Sequence, residues 1–501
     1  MRIENICSVV LFLLLVPARS PAIVIDTAVT KTVSDTVTDY LEFRGNGRFL
    51  IADNVTISIL GPLTAPLKEL FAADGKEGTG TVSFRGNAYV KEVYPQWFGV
   101  ISHPTKDQRK PINKALSSLP AGCRLLFTPG IYCVGSSLLQ PSHTEIAGTD
   151  RESCVIRLIG TSVFHGGIVF NMKVPAKWDT SAHHCSFNTN LKISDLTLDG
   201  NQRVSKMGFG VSYIGVTDVT IRNVRIQHTF QQGIRIMGGK RITVRDCLVD
   251  SINMDGIHLA DPENFLIEGN RVYHSGDFGI EVEAGTLPGN ANRATGFGQI
   301  VNNFVMDCKN FGICTRGNKN GNNPHDKPVT DVLIQGNIVT QARQGISLGE
   351  YTSNISIIGN DVYSNEVGIG TAPNLTSSSH IIIKGNIVRN NTGSGMDVKT
   401  MGHSIISDNI IHDNAAFGID GSLGHSIISG NSVINNKYGI QLQHCEYTQI
   451  VNNIILSKND YEISENGGGY CSHNLYSGNI IKNKVSLQHH SNLKEEYYKK
   501  E

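Results

Sequence analysis

Between residues 233 and 440, glycine is followed nine times by isoleucine or methionine, and this recurrence constrains the fold more than any other feature. Half of the neighbouring copies are 23 residues apart, and the spacings range from 21 to 33. The glycines are Gly233, Gly256, Gly279, Gly312, Gly345, Gly368, Gly395, Gly418 and Gly439. Asparagines that open short apolar runs keep the same period: Asn270, Asn303, Asn337, Asn360, Asn386, Asn409, Asn431, Asn453 and Asn479. Two markers with one period indicate a stack of similar units.

Each unit contains short strands. Apolar and polar residues alternate in Ile346-Ser347-Leu348 and Ile355-Ser356-Ile357, which is strand periodicity, and the leucine-rich-repeat consensus is not met. One such unit cannot bury its apolar side alone, whereas coils stacked at the ~4.8 Å strand spacing can. Parallel crossovers are right-handed. We therefore predict an all-β, right-handed single-stranded parallel β-helix over residues 120–485, with the repeated asparagines hydrogen-bonded from coil to coil.

The two ends of the chain follow other patterns. Residues 1–22 combine the apolar run Val9 to Val16 with small residues after it, which is typical of a cleaved export signal, and an anchored N-terminal helix is the alternative. We predict that residues 23–119 form a β-rich region and a capping helix, with strands over 43–51, 55–61 and 81–84 and the helix over 106–119. Residues 486–501 predict a polar tail.

Composition narrows the partners and the location. Lys+Arg and Asp+Glu both number 44, so the chain lacks the basic excess of a nucleic-acid binder. The apolar run of the signal is too short to span a bilayer, and no later segment is long and apolar enough, so the mature chain is expected to have no membrane span. Its nine cysteines form no Cys-x-x-Cys pair, which argues against a metal cluster and leaves room for one or two disulfides. We expect a secreted, periplasmic or cell-surface protein of undetermined oligomeric state.

Three segments resemble the pectin-lyase-like superfamily, in its epimerase and pectate-lyase-related branch. They are Tyr94-Pro95-Gln96-Trp97-Phe98-Gly99, Leu126 to Tyr132, and Ile146-Ala147-Gly148, and with the repeats the resemblance covers roughly residues 90–480. It implies a parallel β-helix that binds, and cleaves or modifies, a polysaccharide. The acidic stretch that many relatives carry after Trp-Phe-Gly is absent here, where the chain reads Val100 to Asp107.

Titratable residues are concentrated in four successive units. If each repeat isoleucine points inward, the next residue points outward, which gives one column with Arg235, His258 and Glu281 and a second with Glu283 and Arg316. We predict that His258, Glu281 and Asp255 are catalytic and that Arg235, Glu283, Arg316 and Asp261 bind substrate. Asp255 is expected to be buried, with Phe278 and Phe311 in its column. The alternative is a solvated face whose charges pair across coils; a thinner group of Asp397, Lys399 and Asp420 follows.

Two polar insertions, Ala284 to Gly296 and Gly317 to Lys327, are expected to wall a groove beside these residues. Asn253-Met254-Asp255-Gly256 resembles the catalytic motif of polygalacturonase-type glycosidases, and Gly256 to Asp261 with Glu283 loosely resembles alginate epimerases. Neither match is complete, so a uronate lyase or epimerase, a polygalacturonase-like hydrolase and a non-catalytic glycan binder or adhesin all stay open. No cofactor is certain, although Asp255, Asp261, Glu281 and Glu283 carry the oxygen ligands that Ca²⁺ prefers.

Overall fold

The computed structural model describes residues 22–160, 166–172, 187–206, 208–284, 295–317, 328–371, 378–459, 461–466, 471–482, 484–487, 492–494 and 497–498. The predicted export signal, residues 1–22, lies outside these ranges except for its last residue. Within the described residues no helix is long and apolar enough to cross a membrane.

The region predicted to be a cap is itself a short stack of parallel coils. Nine strands form three sheets of three: Ile23–Ile25, Leu41–Phe43 and Leu63–Thr64; Ala28–Lys31, Arg48–Ile51 and Phe71–Ala73; Asp35–Val37, Thr56–Ile59 and Thr81–Ser83. The strand predicted over 43–51 is two strands, because the chain turns at Gly45, where φ is 44°. Aromatic rings fill this small core, with the Phe43 and Phe49 centroids 5.1 Å apart. Coil stacking thus begins well before residue 120.

A 3₁₀ turn, Pro95–Phe98, and the one α-helix found in the described residues, Arg109–Ser118, join this stack to the main one. The helix buries Ile112, Ala115 and Leu116. It contacts strand Thr81–Ser83 of the first stack and strand Leu138–Gln140 of the second, so it covers the junction between them.

The main stack is one 44-stranded parallel sheet wound into three faces. The first face comprises Glu92–Val93, Cys123–Phe127, Thr144–Gly148, Asn188–Ser194, Val216–Arg222, Lys240–Arg245, Glu263–Glu268, Thr295–Val301, Val329–Gln335, Thr352–Ile358, Ser378–Ser379, Ile382–Lys384, Ile405–Ser407, Ile427–Ser429, Gln449–Val451, Leu475–Ser477 and Asn492–Lys494. The second face comprises Gly130–Val134, Cys154–Leu158, Thr197–Asp199, Arg225–Gln227, Leu248–Ile252, Arg271–Ser275, Asp361–Tyr363, Ile387–Arg389, Ile410–His412, Ser432–Ile434, Ile454–Leu456, Ile480–Ile481 and Tyr497–Tyr498.

The third face carries the candidate site. It comprises Leu138–Gln140, Gly167–Asn171, Phe209–Ile214, Ile234–Met237, Ile257–Ala260, Ile280–Glu283, Val367–Thr371, Met396–Gly402, Phe417–Gly424, Tyr438–Leu442, Tyr461–Glu465 and Lys484–Ser486. Two long strands, Phe304–Arg316 and Ile338–Leu348, begin on the second face and end on the third. This arrangement confirms the predicted β-helix.

The repeat residues do what their spacing predicts. The isoleucine or methionine after each marker glycine is buried, from Ile234 to Ile440. Each marker asparagine from Asn270 to Asn453 donates a hydrogen bond of 2.9–3.0 Å from its side-chain Nδ2 to the side-chain Oδ1 of the next one, which confirms the asparagine ladder. A second, shorter ladder, Asn365 to Asn436, was not predicted.

The C-terminal segment departs from the prediction of a polar tail. Strands Asn492–Lys494 and Tyr497–Tyr498 pair in parallel with Leu475–Ser477 and Ile480–Ile481. The stack therefore continues beyond residue 485, although the Gly-Ile and Asn markers end before these strands.

Candidate functional site

Strand register stacks the predicted site residues. On the third face, Arg235 lies opposite His258 and His258 opposite Glu281, while Glu283 lies opposite Arg316. The parallel pairing keeps equivalent positions one coil apart, so side chains on one outward column meet their neighbours directly. Four of these residues and Asp255 form one contact network, which we call the charged cluster: Asp255, His258, Glu281, Glu283 and Arg316.

The cluster is buried, which differs from the exposed groove face that the sequence suggested. The side chain of Glu281 is 2 % exposed, and those of His258 and Glu283 are 10 % and 11 % exposed. Arg316 is the accessible member, with 42 % of its side chain exposed. The alternation of side chains along a strand predicted that these residues point away from the apolar core. It does not predict how much of each side chain the neighbouring residues cover.

His258 lies at the centre of the cluster. Its Nε2 is 3.0 Å from Oε1 of Glu283 and 3.6 Å from Oε2 of Glu281, while its Nδ1 is 3.6 Å from Oδ2 of Asp255. Burial lowers the pKa of His258, but the hydrogen bond to Glu283 and the charges of the three carboxylates outweigh burial and raise that pKa above its ordinary value. The protonated imidazole is therefore favoured more strongly here than in an ordinary histidine.

Arg316 joins the two glutamates. Its Nη2 lies 2.8 Å from Oε1 of Glu281 and 2.6 Å from Oε2 of Glu283. Since both oxygens contact one nitrogen, they lie no more than 5.4 Å apart. Burial and these two charges together leave the pKa of Arg316 above its ordinary value, so its guanidinium stays charged.

The cluster has three carboxylates and only two cations, so one negative charge is in excess when every group is ionised. Burial makes that excess unfavourable, and the proton goes to the most deeply buried carboxyl: burial raises the pKa of Glu281 to about 8. Glu283 behaves in the opposite way. Burial opposes its ionisation, but the hydrogen bond from His258 and the charges of His258 and Arg316 hold its pKa well below the ordinary value.

Asp255 is buried, and burial raises its pKa. Its Oδ2 accepts a hydrogen bond of 3.1 Å from Nε2 of Gln232, and its Oδ1 accepts one of 3.3 Å from the backbone of Phe278. Gln232 was missed by the sequence analysis, although it precedes Gly233 as Asp255 precedes Gly256. Phe278 and Phe311, expected to be buried, are half-buried and stack at 5.1 Å.

Arg235 lies one coil from His258 but outside the cluster. Its guanidinium stacks over the ring of Phe209 at 3.8 Å and donates a 2.9 Å hydrogen bond to Oγ of Ser212. Burial lowers the pKa of Arg235 to about 10. No described carboxylate lies within 4.0 Å of it, so this cation has no protein counter-ion in the described part of the chain.

Asp261 and the two insertions are placed differently. Asp261 adopts φ 50° at the corner after strand Ile257–Ala260 and accepts a 3.4 Å hydrogen bond from Thr295. Nearly all of Ala284 to Gly296 and Gly317 to Lys327 lies outside the described residues, so the predicted groove walls stay a prediction.

The thinner charged group that the sequence indicated, Asp397, Lys399 and Asp420, is compact. Lys399 contacts Asp397 at 3.1 Å and Asp420 at 3.7 Å.

One trio could hold a metal ion, because Asp255, His258 and Glu281 each offer a ligand atom within 4.8 Å of the others. An imidazole with carboxylates is a donor set of transition metals and zinc, whereas Ca²⁺ takes six to eight oxygens. The guanidinium of Arg316 already neutralises Glu281 and Glu283, and Asp261 is not in the trio. The predicted calcium ligands therefore do not form an all-oxygen set here.

Comparison with known proteins identifies the class. The family model described as "Right handed beta helix region" matches residues 183–327 and 325–455, and the chain belongs to this family. The fold also agrees with the pectin-lyase-like resemblance. No curated protein matches the sequence.

Solved structures with the same fold have diverse functions. The family 28 exopolygalacturonase of Yersinia enterocolitica shares 13 % identity at TM-score 0.50, over 79 % of each chain. Tailspike protein 3 of bacteriophage CBA120 shares 12 % identity at TM-score 0.50, over 80 % of this chain and 61 % of that one. The A-module of a mannuronan C-5 epimerase of Azotobacter vinelandii shares 18 % identity at TM-score 0.47, over 80 % and 97 %. At these identities the likeness to the exopolygalacturonase and the tailspike protein establishes the fold alone.

Proposed function

We propose that the protein hydrolyses glycosidic bonds of a polysaccharide, with Glu281 as the general acid and Glu283 as its ionised partner. The observation that carries this proposal is the opposite behaviour of two glutamates on one strand: the pKa of Glu281 is raised to about 8 and that of Glu283 is lowered. Carboxyl groups whose surroundings separate their pKa values in this way are suited to acid and base roles in one reaction.

In this mechanism the Glu281 carboxyl protonates the departing glycosidic oxygen. The Glu283 carboxylate attacks the anomeric carbon, and the glycosyl-enzyme bond is then hydrolysed by water that Glu281 deprotonates. The limit of 5.4 Å between the two glutamate oxygens held by Arg316 favours this retaining route, because an inverting enzyme needs about 6.5–9.5 Å between its carboxyls. Substrate must approach from the side of Arg316, the accessible member of the cluster.

A second candidate is modification of a uronate chain by β-elimination or epimerisation. The favouring observation is Arg235, a half-buried residue whose guanidinium has no carboxylate partner among the described residues. Such a cation can neutralise a substrate carboxylate, which acidifies the proton next to it. The neutral form of His258 would then accept the proton from that carbon, and protonated Glu281 would give a proton to the departing oxygen in elimination or to the carbon in epimerisation.

Product analysis on a panel of neutral and uronate polysaccharides separates the candidates. New reducing ends without new ultraviolet absorbance support hydrolysis, and an absorbing unsaturated product supports elimination. A change of uronate configuration without cleavage supports epimerisation. Glu281→Gln should abolish product, whereas Glu268→Gln, a change on the first face, should not. Retained binding with no product from any polysaccharide would contradict the enzyme and favour a non-catalytic binder or adhesin.

We also propose that the chain is exported and that its N-terminal signal, predicted within residues 1–22, is removed. The apolar run followed by small residues supports this. Intact mass measurement of the protein from its native source should give a chain that begins near residue 21. A native chain that keeps Met1 and the whole apolar run would contradict export by this signal.

A further inference from the structure

A second groove runs along the first face, around the corner from the charged cluster. It has a volume of about 720 Å³, within the usual range for ligand sites, and is lined by residues from Asn190 to Ser356. Seven successive coils contribute, which at ~4.8 Å per coil corresponds to about 29 Å along the axis. An extended chain of several units therefore fits its length better than a single small molecule.

One wall of the groove is a column of residues at the second or third position of each first-face strand. The members in the groove are Asn190, Asp218, Arg241, Asn264, Phe297, Asp331 and Asn354, and all have φ between 53° and 58°. Asparagine and aspartate adopt this left-handed conformation far more readily than a bulky residue does.

Phe297 stands out in this column. It is an aromatic residue with φ 53°, and 46 % of it is exposed at the middle of the groove. Both its backbone conformation and its exposure cost free energy, and strained residues of this kind occur preferentially at ligand sites. The backbone does not need phenylalanine here, since Asn264 and Asp331 serve the neighbouring coils.

The floor alternates in character. Thr243, Leu266, Gln299 and Leu333 point outward on successive coils, so apolar side chains flank the amide of Gln299, two residues along the strand from Phe297. Hydroxyl, amide and guanidinium groups thus line the same groove as one exposed aromatic ring. This pattern matches a sugar ring, which presents C–H groups on its faces and hydroxyls around its edge.

The net charge of the groove lining distinguishes neutral sugars from uronates as ligands. Arg241 pairs with Asp218 at 2.6 and 2.8 Å, and Asp331 is the other charged residue of the lining. The lining therefore has a formal charge of −1, which disfavours a uronate. Backbone groups of these strands are used between coils, so a peptide could not add as a strand.

We propose that this groove binds a neutral oligosaccharide chain, stacked on Phe297 and hydrogen-bonded by the polar column. The site is separate from the charged cluster and does not depend on the reaction proposed there. It gives the protein a second carbohydrate contact on the coils that hold the cluster.

The test is calorimetric titration of the full chain with neutral hexasaccharides, including β-glucan, mannan and xylan fragments. Phe297→Asn removes the ring while placing a residue that the column already uses, so it should keep or raise the melting temperature. We expect it to weaken binding roughly threefold to tenfold, the worth of one aromatic contact. Tyr447→Ala is the matched control, because Tyr447 has φ 52° and 52 % exposure in the same column outside the groove.

We expect Tyr447→Ala and Glu281→Gln to bind like the unmodified chain. The proposal is overturned if no neutral hexasaccharide binds, if Phe297→Asn binds as well as the unmodified chain, or if Glu281→Gln loses the binding. Loss of catalysis in Glu281→Gln with unchanged neutral binding would leave the two sites independent, as proposed.

Discussion

The asparagine ladder and the charged cluster are both columns of buried polar side chains stacked in register, yet they are built in opposite ways. In the ladder every rung is the same neutral amide, and each rung satisfies the next. In the cluster every coil contributes a different group, and three carboxylates meet two cations. Buried polar groups are tolerated when they are satisfied, so the ladder is explained by stability alone. The cluster avoids an unfavourable charge excess only by holding a proton on Glu281, an arrangement that stability does not explain.

The largest expected effect comes from the cluster. His258→Ala and Glu281→Gln should each lower turnover by roughly 10²-fold or more, because Glu281 transfers the proton and His258 keeps Glu283 ionised. Far-ultraviolet circular dichroism should stay unchanged, since neither residue supports the coil markers. Steady-state rates on the best substrate of the panel measure the effect. Full activity in both variants would mean that the cluster is structural like the ladder.

A change in the asparagine ladder should lower the stability of the chain and not its turnover. Asn386→Ala removes the amide between Asn360 and Asn409 and leaves buried partners unsatisfied, so we expect a loss of about 2 kcal/mol of unfolding free energy. Denaturant unfolding measures it, with exposed Asn46→Ala as the control. Turnover at a temperature below the transition should be unaltered. An activity loss without a stability loss would break the distinction between the columns.

A smaller effect concerns pH. Activity that needs protonated Glu281 should fall about tenfold per pH unit above about 8, while Glu283 stays ionised at lower pH. The pKa of Glu281 is higher in the folded chain than its ordinary value of 4.5, so the folded chain binds the extra proton. Stability from this group therefore falls as pH rises from about 4.5 to 8. Glu281→Gln should flatten that part of the stability profile, and an unchanged slope would contradict the raised pKa.

The sequence predicted the repeated coils best, because residues that recur with one period occupy equivalent positions in stacked coils. The buried isoleucines and the ladder followed directly from the two markers. The N-terminal coils were missed as coils, since strands such as Leu41–Phe43 and Arg48–Ile51 lack the Gly-Ile and Asn markers. Strand register allowed the sequence to predict that the site residues lie together. It could not predict their burial, because burial depends on which other side chains cover the third face. Gln232 and Phe297 were missed because single, non-repeated residues carry no periodic signal.

Infrared difference spectroscopy across pH tests the central claim, that the cluster holds a proton on Glu281 near neutral pH. We expect a carbonyl band of a protonated carboxyl group at pH 7 that disappears as pH rises through about 8, and that is absent in Glu281→Gln. The band should persist in Glu268→Gln. If the unmodified chain has no such band at pH 7, or if the band survives in Glu281→Gln, the cluster does not store the proton that the proposed reaction requires.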